Sequence, residues 1–476
     1  MHAWNGRAKI ALGLVAFRAA LRLKDNAGLR LLYPVLLTAF LLVSYMPVGI
    51  CDEPTGKKWL TAWTCSIQGP YPIGTASPQP QLQLALPGPD YRAHDQTFRM
   101  IVRPDLFADV ARLRFSNWAS SKPLVLDGVF VGAQESGASI SHGENYPVHF
   151  SSGRSSVVLP PGQSVWSDPV TLPFVRRFDP AALLGRKLAI SFHVQGDSGE
   201  IGWHSEAFTT SYISRPGSGS LGSDELGLNF TENLTSWYFL DALDMLASEK
   251  AQSIVVFGDS ITNGTGSTIN ADDRWPDILS LRLHRAYGAN LAVVNAGIGG
   301  NQVVGPAEYS KISPFPGGPA AVQRLDKDVL SLSGVSTIIW TEGINDFAAG
   351  DASAEAILAA MRVAVATIRS HEPGIRVFIG TLTSALGSDG AYGTAEVDSK
   401  RRKLNELIRA ADFVDSVIDF DRATIDPNTG ALKSGFATQD AGGLSGDRLH
   451  PSRAGYLAMG EAIDLSSVMR AGRRFR

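Results

Sequence analysis

A serine stands where an apolar segment of the chain ends, at positions 255–264, which read VVFGDSITNG. Ser260 is a candidate nucleophile there, because a hydroxyl just beyond a strand can reach a bound substrate. A serine attacks a carbonyl carbon only when a base removes its proton, and that base is most often a histidine oriented by a carboxylate. If the chain offers no such base, Ser260 is only a turn residue.

The second half of the chain contains three histidines: His284, His371 and His450. His284 and His371 fall within or at the end of predicted helices, and we expect them to be surface or helix-end residues. His450 lies in the polar turn GDRLHPSRAGY, in which Asp447 comes three residues earlier. One loop can therefore supply both the base and the carboxylate that fixes its tautomer. A lone D-x-x-H pair is more often an ordinary loop, so other residues must support this interpretation.

Acyl transfer also needs hydrogen-bond donors for the oxyanion that forms on the attacked carbonyl. Two segments offer them. NAGIGGNQ at 295–302 contains glycines that let a backbone N–H approach a substrate closely, and TEGINDF at 341–347 contains Asn345, whose side-chain amide can donate. Both segments follow predicted strands, which would place them at the same edge of one sheet as Ser260.

Residues 250–470 alternate apolar strands with helical patterns. Strands are predicted at 253–257, 291–295, 335–340, 375–382 and 416–420. Helices are predicted at 275–287 and 354–371, the second of which is ended by Pro373 and Gly374. This alternation predicts an α/β fold with a parallel sheet and helices on both faces. In such a sheet, ligands bind beyond the carboxyl ends of the strands.

Residues 51–214 have a different sequence pattern. Short runs of alternating apolar and polar residues, or of β-branched residues, are separated by Gly, Pro, Asn and Ser. Strands are predicted at 98–104, 111–118, 124–133, 155–162, 187–195 and 208–214. Because no long amphipathic helix intervenes, an all-β sandwich or jelly-roll domain is expected. The stretch RPGSGSLGSDE at 215–225 indicates a linker or surface loop, and 215–249 is interpreted as linker and lead-in to the second domain.

Residues 1–50 combine a basic segment with the uncharged stretch LLYPVLLTAFLLVSYMPVGI at 31–50. This order is typical of an export signal or a membrane anchor, so we expect the remainder to lie outside the cytoplasm. Cleavage of the segment and membrane association through 31–50 both stay open. The only two cysteines, Cys51 and Cys65, can pair in an oxidising compartment if Cys51 is retained.

Composition narrows the class of partner. The formal net charge is −3, and the acidic residues outnumber the basic ones beyond the first 50 positions, so nothing indicates nucleic acid as a partner. The Cys and His residues have no zinc-type spacing, so a structural metal is not expected. The oligomeric state is left open by the sequence.

The four blocks FGDSITNG, NAGIGGN, GIND and GDRLHP together resemble the GDSL, or SGNH, hydrolases, serine esterases named for a Ser, a Gly, an Asn and a His in separated blocks. The match covers roughly residues 250–465, and it implies an SGNH-type, flavodoxin-like sheet. Ile261 stands where the family name has Leu, a change between apolar residues of similar size. The chain has no G-x-S-x-G elbow, the signature of the α/β-hydrolases. The first half is similar to the β-rich domain that precedes the hydrolase domain in exported, carbohydrate-directed or broad-range esterases of this family.

The resemblance implies a role for each matched residue. Ser260 would attack the acyl carbon, His450 would act as general base and then general acid, and Asp447 would orient His450. The implied oxyanion donors are the backbone N–H groups of Ser260 and Gly300 and the side chain of Asn345, with Gly299 as the alternative to Gly300. The family uses no metal and no organic cofactor.

We therefore expect an exported serine esterase that hydrolyses short-chain acyl esters, with O-acetyl groups of carbohydrates as one substrate class. The expected partner is a small-molecule or glycan ester. Three alternatives remain: a lipase or lysophospholipase, an acyltransferase that uses the same covalent intermediate, and a surface carbohydrate-binding protein whose hydrolase half is degenerate.

Overall fold

The computed structural model describes residues 56–75, 79–438 and 446–469. The described residues from Gly56 onward cluster as one compact unit. The apolar stretch 31–50 and Cys51 lie outside the described residues, so export and a Cys51–Cys65 disulfide stay predictions. Cys65 is buried and forms no disulfide with a described residue. None of the described helices is long and apolar enough to cross a membrane.

Residues 56–248, called the β-rich region below, fold into antiparallel sheets. Its strands are β1 Lys57–Thr64, β2 Gly69–Pro70, β3 His94–Val102, β4 Val110–Ser116, β5 Leu124–Ser136, β6 Ser139–Pro147, β7 Ser156–Leu159, β8 Ser164–Trp166, β9 Val170–Thr171, β10 Leu188–Asp197, β11 Gly202–His204, β12 Ser211–Ile213, β13 Glu232–Leu234, β14 Trp237–Tyr238 and β15 Leu240–Ser248. A 3₁₀ turn, Pro173–Arg177, and a short helix, α1 Pro180–Leu183, separate β9 from β10. The strand orders are β1-β15-β4-β8 with β9 beside β4, β13-β12-β3-β10-β5-β6 with β7 beside β5, and β14-β11-β2.

The two larger sheets are held together by apolar side chains on their facing sides. Phe115 on β4 contacts Phe192 on β10, with ring centroids 5.2 Å apart. Along β5, Leu124 and Leu126 are buried and Val125 between them is half-buried, the two-residue period of a strand with one face on a core. The prediction of an antiparallel β-rich region is therefore confirmed.

The structure differs from the sequence interpretation at 215–249, which contains β13, β14 and β15 rather than only a linker. β15 lies between β1 and β4 in the first large sheet. Its sequence LDALDMLAS carries two charges within an apolar run, and these obscure the strand pattern. Both aspartates are nevertheless buried, because Asp241 pairs with Arg114 and Asp244 with Arg112 on the adjacent strand. The domain boundaries themselves stay a prediction.

Residues 249–469, called the α/β region below, form a parallel sheet with flanking helices. The strands are β16 Gln252–Gly258, β17 Leu291–Gly297, β18 Val335–Thr341, β19 Arg376–Gly380 and β20 Ser416–Ile418. The helices are α2 Ser260–Asn263, α3 Trp275–Tyr287, α4 Ala321–Leu325, α5 Ile344–Ala348, α6 Ala354–His371, α7 Ala395–Arg409, α8 Phe420–Thr424, α9 Arg453–Glu461 and α10 Leu465–Met469, with a π turn at Asp326–Leu330 and a 3₁₀ turn at Gly390–Gly393. All neighbours in the order β17-β16-β18-β19-β20 are parallel, which is the flavodoxin-like order.

Alternate residues of β16 face opposite sides of this sheet. Ile254 and Val256 belong to a buried cluster with side chains of α3 and α9. Val255 and Phe257 belong to a second cluster, which includes side chains of α6 and α7 and also the core of the β-rich region. The predicted parallel sheet with helices on both faces is confirmed, and the β-rich region shares a core with one of these faces.

Candidate active site

Ser260 is held at the carboxyl edge of the sheet by the residues directly before it. β16 ends at Gly258, where an added Cβ would lie 2.1 Å from the carbonyl oxygen of Thr341, so only glycine fits there. Asp259 then caps the one-turn helix α2, because its carboxylate accepts a 3.0 Å hydrogen bond from the N–H of Ile261. Ser260 is the first residue of α2 and is 6% exposed. Its hydroxyl is thereby fixed just beyond the central strand.

His450 and Asp447 meet this hydroxyl in a continuous chain of hydrogen bonds. His450 Nε2 lies 2.8 Å from Ser260 Oγ, and His450 Nδ1 lies 2.5 Å from Asp447 Oδ2. The second carboxylate oxygen of Asp447 accepts the N–H groups of Leu449 and His450, both at 2.9 Å. Burial raises the pKa of Asp447, but these hydrogen bonds and the charge of His450 together hold it below its ordinary value. Asp447 is therefore an ionised group that orients the imidazole ring.

The other two histidines of the α/β region lie elsewhere, as expected, but one of them is not on the surface. The His284 side chain is only 7% exposed, and its Nε2 lies 3.3 Å from Asp105 Oδ2 of the β-rich region. The expectation was a surface or helix-end residue: His284 is a helix-end residue, in the last turn of α3, and the β-rich region covers it there. His371 is exposed at the end of α6, as predicted.

Gly300 and Asn345 line the same cavity as Ser260, His450 and Asp447, a cavity of about 290 Å³. Gly300 has a positive φ of 75°, a backbone conformation that favours glycine. Asn345 donates one amide hydrogen to the carbonyl oxygen of Asn301 at 2.8 Å, which leaves the second hydrogen for another acceptor. Gly299, the alternative to Gly300, packs against Thr75 and Glu206 instead.

The loop that carries Gly300 is held by buried polar groups behind the cavity. Asn301 donates to the carbonyl oxygens of Gly317 and Pro319, both at 2.7 Å, and accepts from Arg324 Nε at 2.7 Å. The carboxyl group of Asp346, which follows Asn345, accepts the N–H groups of residues 303 and 304 at 2.8 and 2.9 Å. Burial raises the pKa of Asp346 to about 6. The loop and α5 therefore form one hydrogen-bonded unit.

Tyr392 is a cavity residue that the sequence did not reveal. Its hydroxyl donates a 2.8 Å hydrogen bond to Asn345 Oδ1, which fixes the amide so that its nitrogen faces the other way. Tyr392 belongs to the 3₁₀ turn Gly390–Gly393 in a loop with no motif of its own. Only the fold brings this tyrosine to Asn345, so no local signal could have found it.

The β-rich region also contributes to the cavity, through Thr75 and Glu206. Thr75 follows β2 and Glu206 follows β11, and these two strands pair in the small three-stranded sheet. Nε2 of His204, the last residue of β11, lies 2.9 Å from Asn263 Oδ1 of α2. Neither Thr75 nor Glu206 stands in a recognisable motif. Within the part of the chain that the structure describes, no group of three or more His, Cys, Asp or Glu side chains could hold a metal ion.

Part of the α/β region is similar to a known protein family. Residues 256–458 match the model of the GDSL-like Lipase/Acylhydrolase family. The solved structures that match include a member of the lipolytic protein G-D-S-L family from Veillonella parvula (20% identity, 44% of this chain and 96% of that chain, TM-score 0.32). They also include an aryl esterase from M. smegmatis (17% identity, 46% and 100%, TM-score 0.35) and a carbohydrate acetylesterase family member from Sinorhizobium meliloti (20% identity, 46% and 98%, TM-score 0.35).

No curated protein matches the sequence. The family match nevertheless covers all four blocks on which the resemblance was based, from β16 to α9. Residues 256–458 are therefore a GDSL-like lipase/acylhydrolase domain, and the chain is an ester-hydrolysing enzyme.

Proposed function

We propose that this chain is an exported serine esterase that removes short acyl groups from a carbohydrate or a similar polar alcohol, with Ser260 as nucleophile. The observation that carries the proposal is the hydrogen-bonded chain from Ser260 Oγ to His450 Nε2, at 2.8 Å, and from His450 Nδ1 to Asp447. A hydroxyl within hydrogen-bond reach of an oriented imidazole is the arrangement that nucleophilic catalysis of acyl transfer requires.

In the first step, Ser260 Oγ attacks the acyl carbon while His450 Nε2 takes the hydroxyl proton. The imidazolium that forms is stabilised by the Asp447 carboxylate, which stays ionised. His450 then gives the proton to the leaving alcohol oxygen, the tetrahedral intermediate collapses, and the acyl group remains bonded to Ser260 Oγ.

The negative charge of the tetrahedral intermediate is stabilised by the backbone N–H groups of Ser260 and Gly300 and by the free amide hydrogen of Asn345. This assignment is supported by the position of Gly300 and Asn345 on the cavity wall and by the orientation that Tyr392 imposes on Asn345. Preorganised donors of this kind lower the barrier because they need no reorganisation during the reaction.

In the second step, His450 removes a proton from a water molecule, which attacks the acyl carbon. The bond from that carbon to Ser260 Oγ then breaks, His450 returns the proton to Ser260 Oγ, and the carboxylic acid is released. A sugar hydroxyl in place of water would give acyl transfer instead. The His450 side chain is partly exposed, and this access of water favours hydrolysis as the main outcome.

The size of the cavity supports a small ester. Its volume of about 290 Å³ is at the lower end of the range of small-molecule sites, roughly 300–1,000 Å³. Its wall includes the polar residues Thr75, Glu206 and Thr265, and Leu449 is its one large aliphatic side chain among the described residues. A long acyl chain would have to leave this cavity for solvent.

Substitution of Ser260 by Ala, combined with a series of 4-nitrophenyl esters from acetate to palmitate, tests this function. We expect Ser260→Ala to lose hydrolysis by roughly 10⁴-fold or more with an unchanged circular dichroism spectrum. The parent enzyme should prefer acetate or propionate. Hydrolysis by the variant at the parent rate, or a steep preference for palmitate, would contradict the proposal.

We also propose that the enzyme acts outside the cytoplasm, because an uncharged stretch at 31–50 follows a basic segment. Fractionation of cells that express the full chain, or a chain without residues 1–50, tests this. The full chain should appear outside the cytoplasm and the shortened chain inside. Cytoplasmic activity of both chains would contradict the proposal.

A further inference from the structure

Glu206 is a buried carboxyl group on the wall of the cavity that holds Ser260, and no step of the proposed mechanism uses it. The residue is only 2% exposed, yet it lines the cavity together with Ser260 and His450. It comes from the β-rich region, two residues beyond β11. A buried carboxyl group is unfavourable unless hydrogen bonds satisfy it, so its presence there needs a reason.

The carboxyl group is held in place by donors from the α/β region. Its Oε2 atom accepts from Thr265 Oγ1 at 2.8 Å and from Asn263 Nδ2 at 3.2 Å. Burial raises the pKa of Glu206 above its ordinary value, although hydrogen bonds from Thr265, Asn263 and Thr75 and the charge of His450 oppose the rise. Glu206 is thus a fixed group that is close enough to the reacting centre to interact electrostatically with His450.

The carboxyl group keeps acceptor capacity toward the cavity. A carboxylate has about four lone-pair sites, whereas three donors bind this one: Thr265 and Asn263 at Oε2, and the Thr75 hydroxyl. The Thr75 hydroxyl, which is 3.1 Å from Ser205 Oγ, lies on the same wall. The wall therefore presents oxygen atoms that a substrate must satisfy when it displaces water.

This chemistry distinguishes between two kinds of ester. A substrate with a hydroxyl group beside its ester bond can donate to Glu206 and replace the displaced water. An apolar substrate leaves the carboxyl group without that partner, and sites built to bind a hydroxyl discriminate strongly against analogues that lack it.

We propose that Glu206 is a specificity residue, supplied by the β-rich region, that selects esters of polyhydroxylated alcohols by accepting a hydrogen bond from a substrate hydroxyl next to the ester. This inference rests on the proposed function, because it assigns the alcohol part of the ester that Ser260 attacks. The α/β region then performs the chemistry, and the β-rich region selects the alcohol.

A matched pair of acetates tests the inference in the full chain. One is methyl 6-O-acetyl-glucopyranoside, whose 4-hydroxyl is the hydroxyl nearest to the ester, and the other is cyclohexylmethyl acetate, which has a ring of similar size without hydroxyls. The parent enzyme should favour the sugar ester in kcat/KM by about 10- to 100-fold. Glu206→Leu should remove most of this preference by lowering the rate for the sugar ester alone. Glu206→Gln should keep part of the preference, because its amide oxygen still accepts.

Glu249→Gln is the matched control, since Glu249 is exposed directly after β15 and does not line the cavity. This control should leave the ratio of kcat/KM for the two esters unchanged. Thermal melting of every variant checks folding, and Glu206→Gln keeps the test decisive if Glu206→Leu does not fold.

An equal fall for both esters in the Glu206 variants, or no preference in the parent enzyme, would overturn the inference. Ser260→Ala separates this failure from failure of the proposed function. If Ser260→Ala is inactive but the ester ratio does not depend on Glu206, only the inference about specificity fails. If Ser260→Ala remains active, the nucleophile and the inference that rests on it both fail.

Discussion

The α/β region and the β-rich region meet at one cavity, but they bring side chains to it in different ways. Ser260, Gly300 and Asn345 follow β16, β17 and β18, which are neighbours in one parallel sheet. The carboxyl ends of these strands lie at one edge, so the order of the strands alone collects the three residues. Thr75 and Glu206 arrive instead at the end of a small antiparallel sheet that packs beside this edge. The first arrangement follows from local sequence and topology, and the second depends on how two regions pack.

The two regions also contact each other away from the cavity. Ser253 on β16 donates a 3.0 Å hydrogen bond to the carbonyl oxygen of Thr61, and the ring of Tyr309 stacks on Trp118 with centroids 5.5 Å apart. Tyr309 lies in the long loop between β17 and α4. The β-rich region therefore contacts loops of the α/β region directly. Substitutions in the β-rich region should alter selectivity between substrates, whereas substitutions in the α/β region should alter the rate of the chemical step.

Among the variants that test this division of roles between the two regions, Asp447→Asn should give the largest fall in kcat. The amide cannot hold the His450 tautomer or stabilise the imidazolium, so we expect kcat to fall by about 10³- to 10⁴-fold. The fall should be the same for the sugar acetate and for cyclohexylmethyl acetate, as measured by steady-state kinetics. A change in the ratio of kcat/KM for the two esters would contradict the assignment of the chemical step to the α/β region and of substrate selection to the β-rich region.

Asn345→Ala should have the next largest effect, because it removes an oxyanion donor. We expect a fall in kcat of about 10²- to 10³-fold with little change in KM. Tyr392→Phe leaves Asn345 in place but removes the hydrogen bond to its Oδ1, so its fall should be smaller, about 10-fold. A Tyr392→Phe effect that equals the Asn345→Ala effect would mean that Asn345 does not act through its own amide.

Glu342→Gln should change stability rather than activity. Glu342 is 0% exposed, accepts from Trp340 Nε1 at 2.7 Å, and has a pKa raised to about 8 by burial. At pH values between the ordinary pKa of a glutamic acid and pH 8, Glu342 keeps its proton in the folded protein but releases it in the unfolded chain. The free energy of unfolding therefore falls as pH rises through this range.

The Glu342→Gln variant should lack that part of the fall, which amounts to about 4 kcal/mol in the free energy of unfolding by pH 8. Urea unfolding at pH 5, 6, 7 and 8 measures it, with Glu249→Gln as the exposed control. Parallel curves for the parent and Glu342→Gln would contradict the buried, protonated state of Glu342.

Much of the α/β region could be predicted because its signals are local. The helices at 275–287 and 354–371 have the predicted bounds, since Pro276 near the start of α3 and Gly288 after its end punctuate the sequence. The four blocks of the candidate site are short and contiguous, so type and spacing were enough to single out Ser260, Gly300, Asn345, Asp447 and His450. Their catalytic roles stay predictions.

The rest could not be predicted, because it depends on contacts between distant segments. The sequence did not predict β15, because Asp241 and Asp244 interrupt its apolar pattern. The arginines that pair with these two aspartates lie more than 100 positions away in the chain. Tyr392 and Glu206 become cavity residues only when the fold places them beside Asn345 and Thr265. A sequence window shows each as an isolated polar residue, so they give no local signal.

Covalent labelling with a fluorophosphonate tests the identity of the nucleophile most directly. An activated serine displaces fluoride from the reagent and keeps the phosphonyl group, which peptide mass spectrometry can locate. We expect one label per chain, on the peptide that contains VVFGDSITNG and at Ser260, with loss of ester hydrolysis in proportion to labelling. Label on another residue, or full hydrolytic activity after Ser260 has been labelled, would contradict the account.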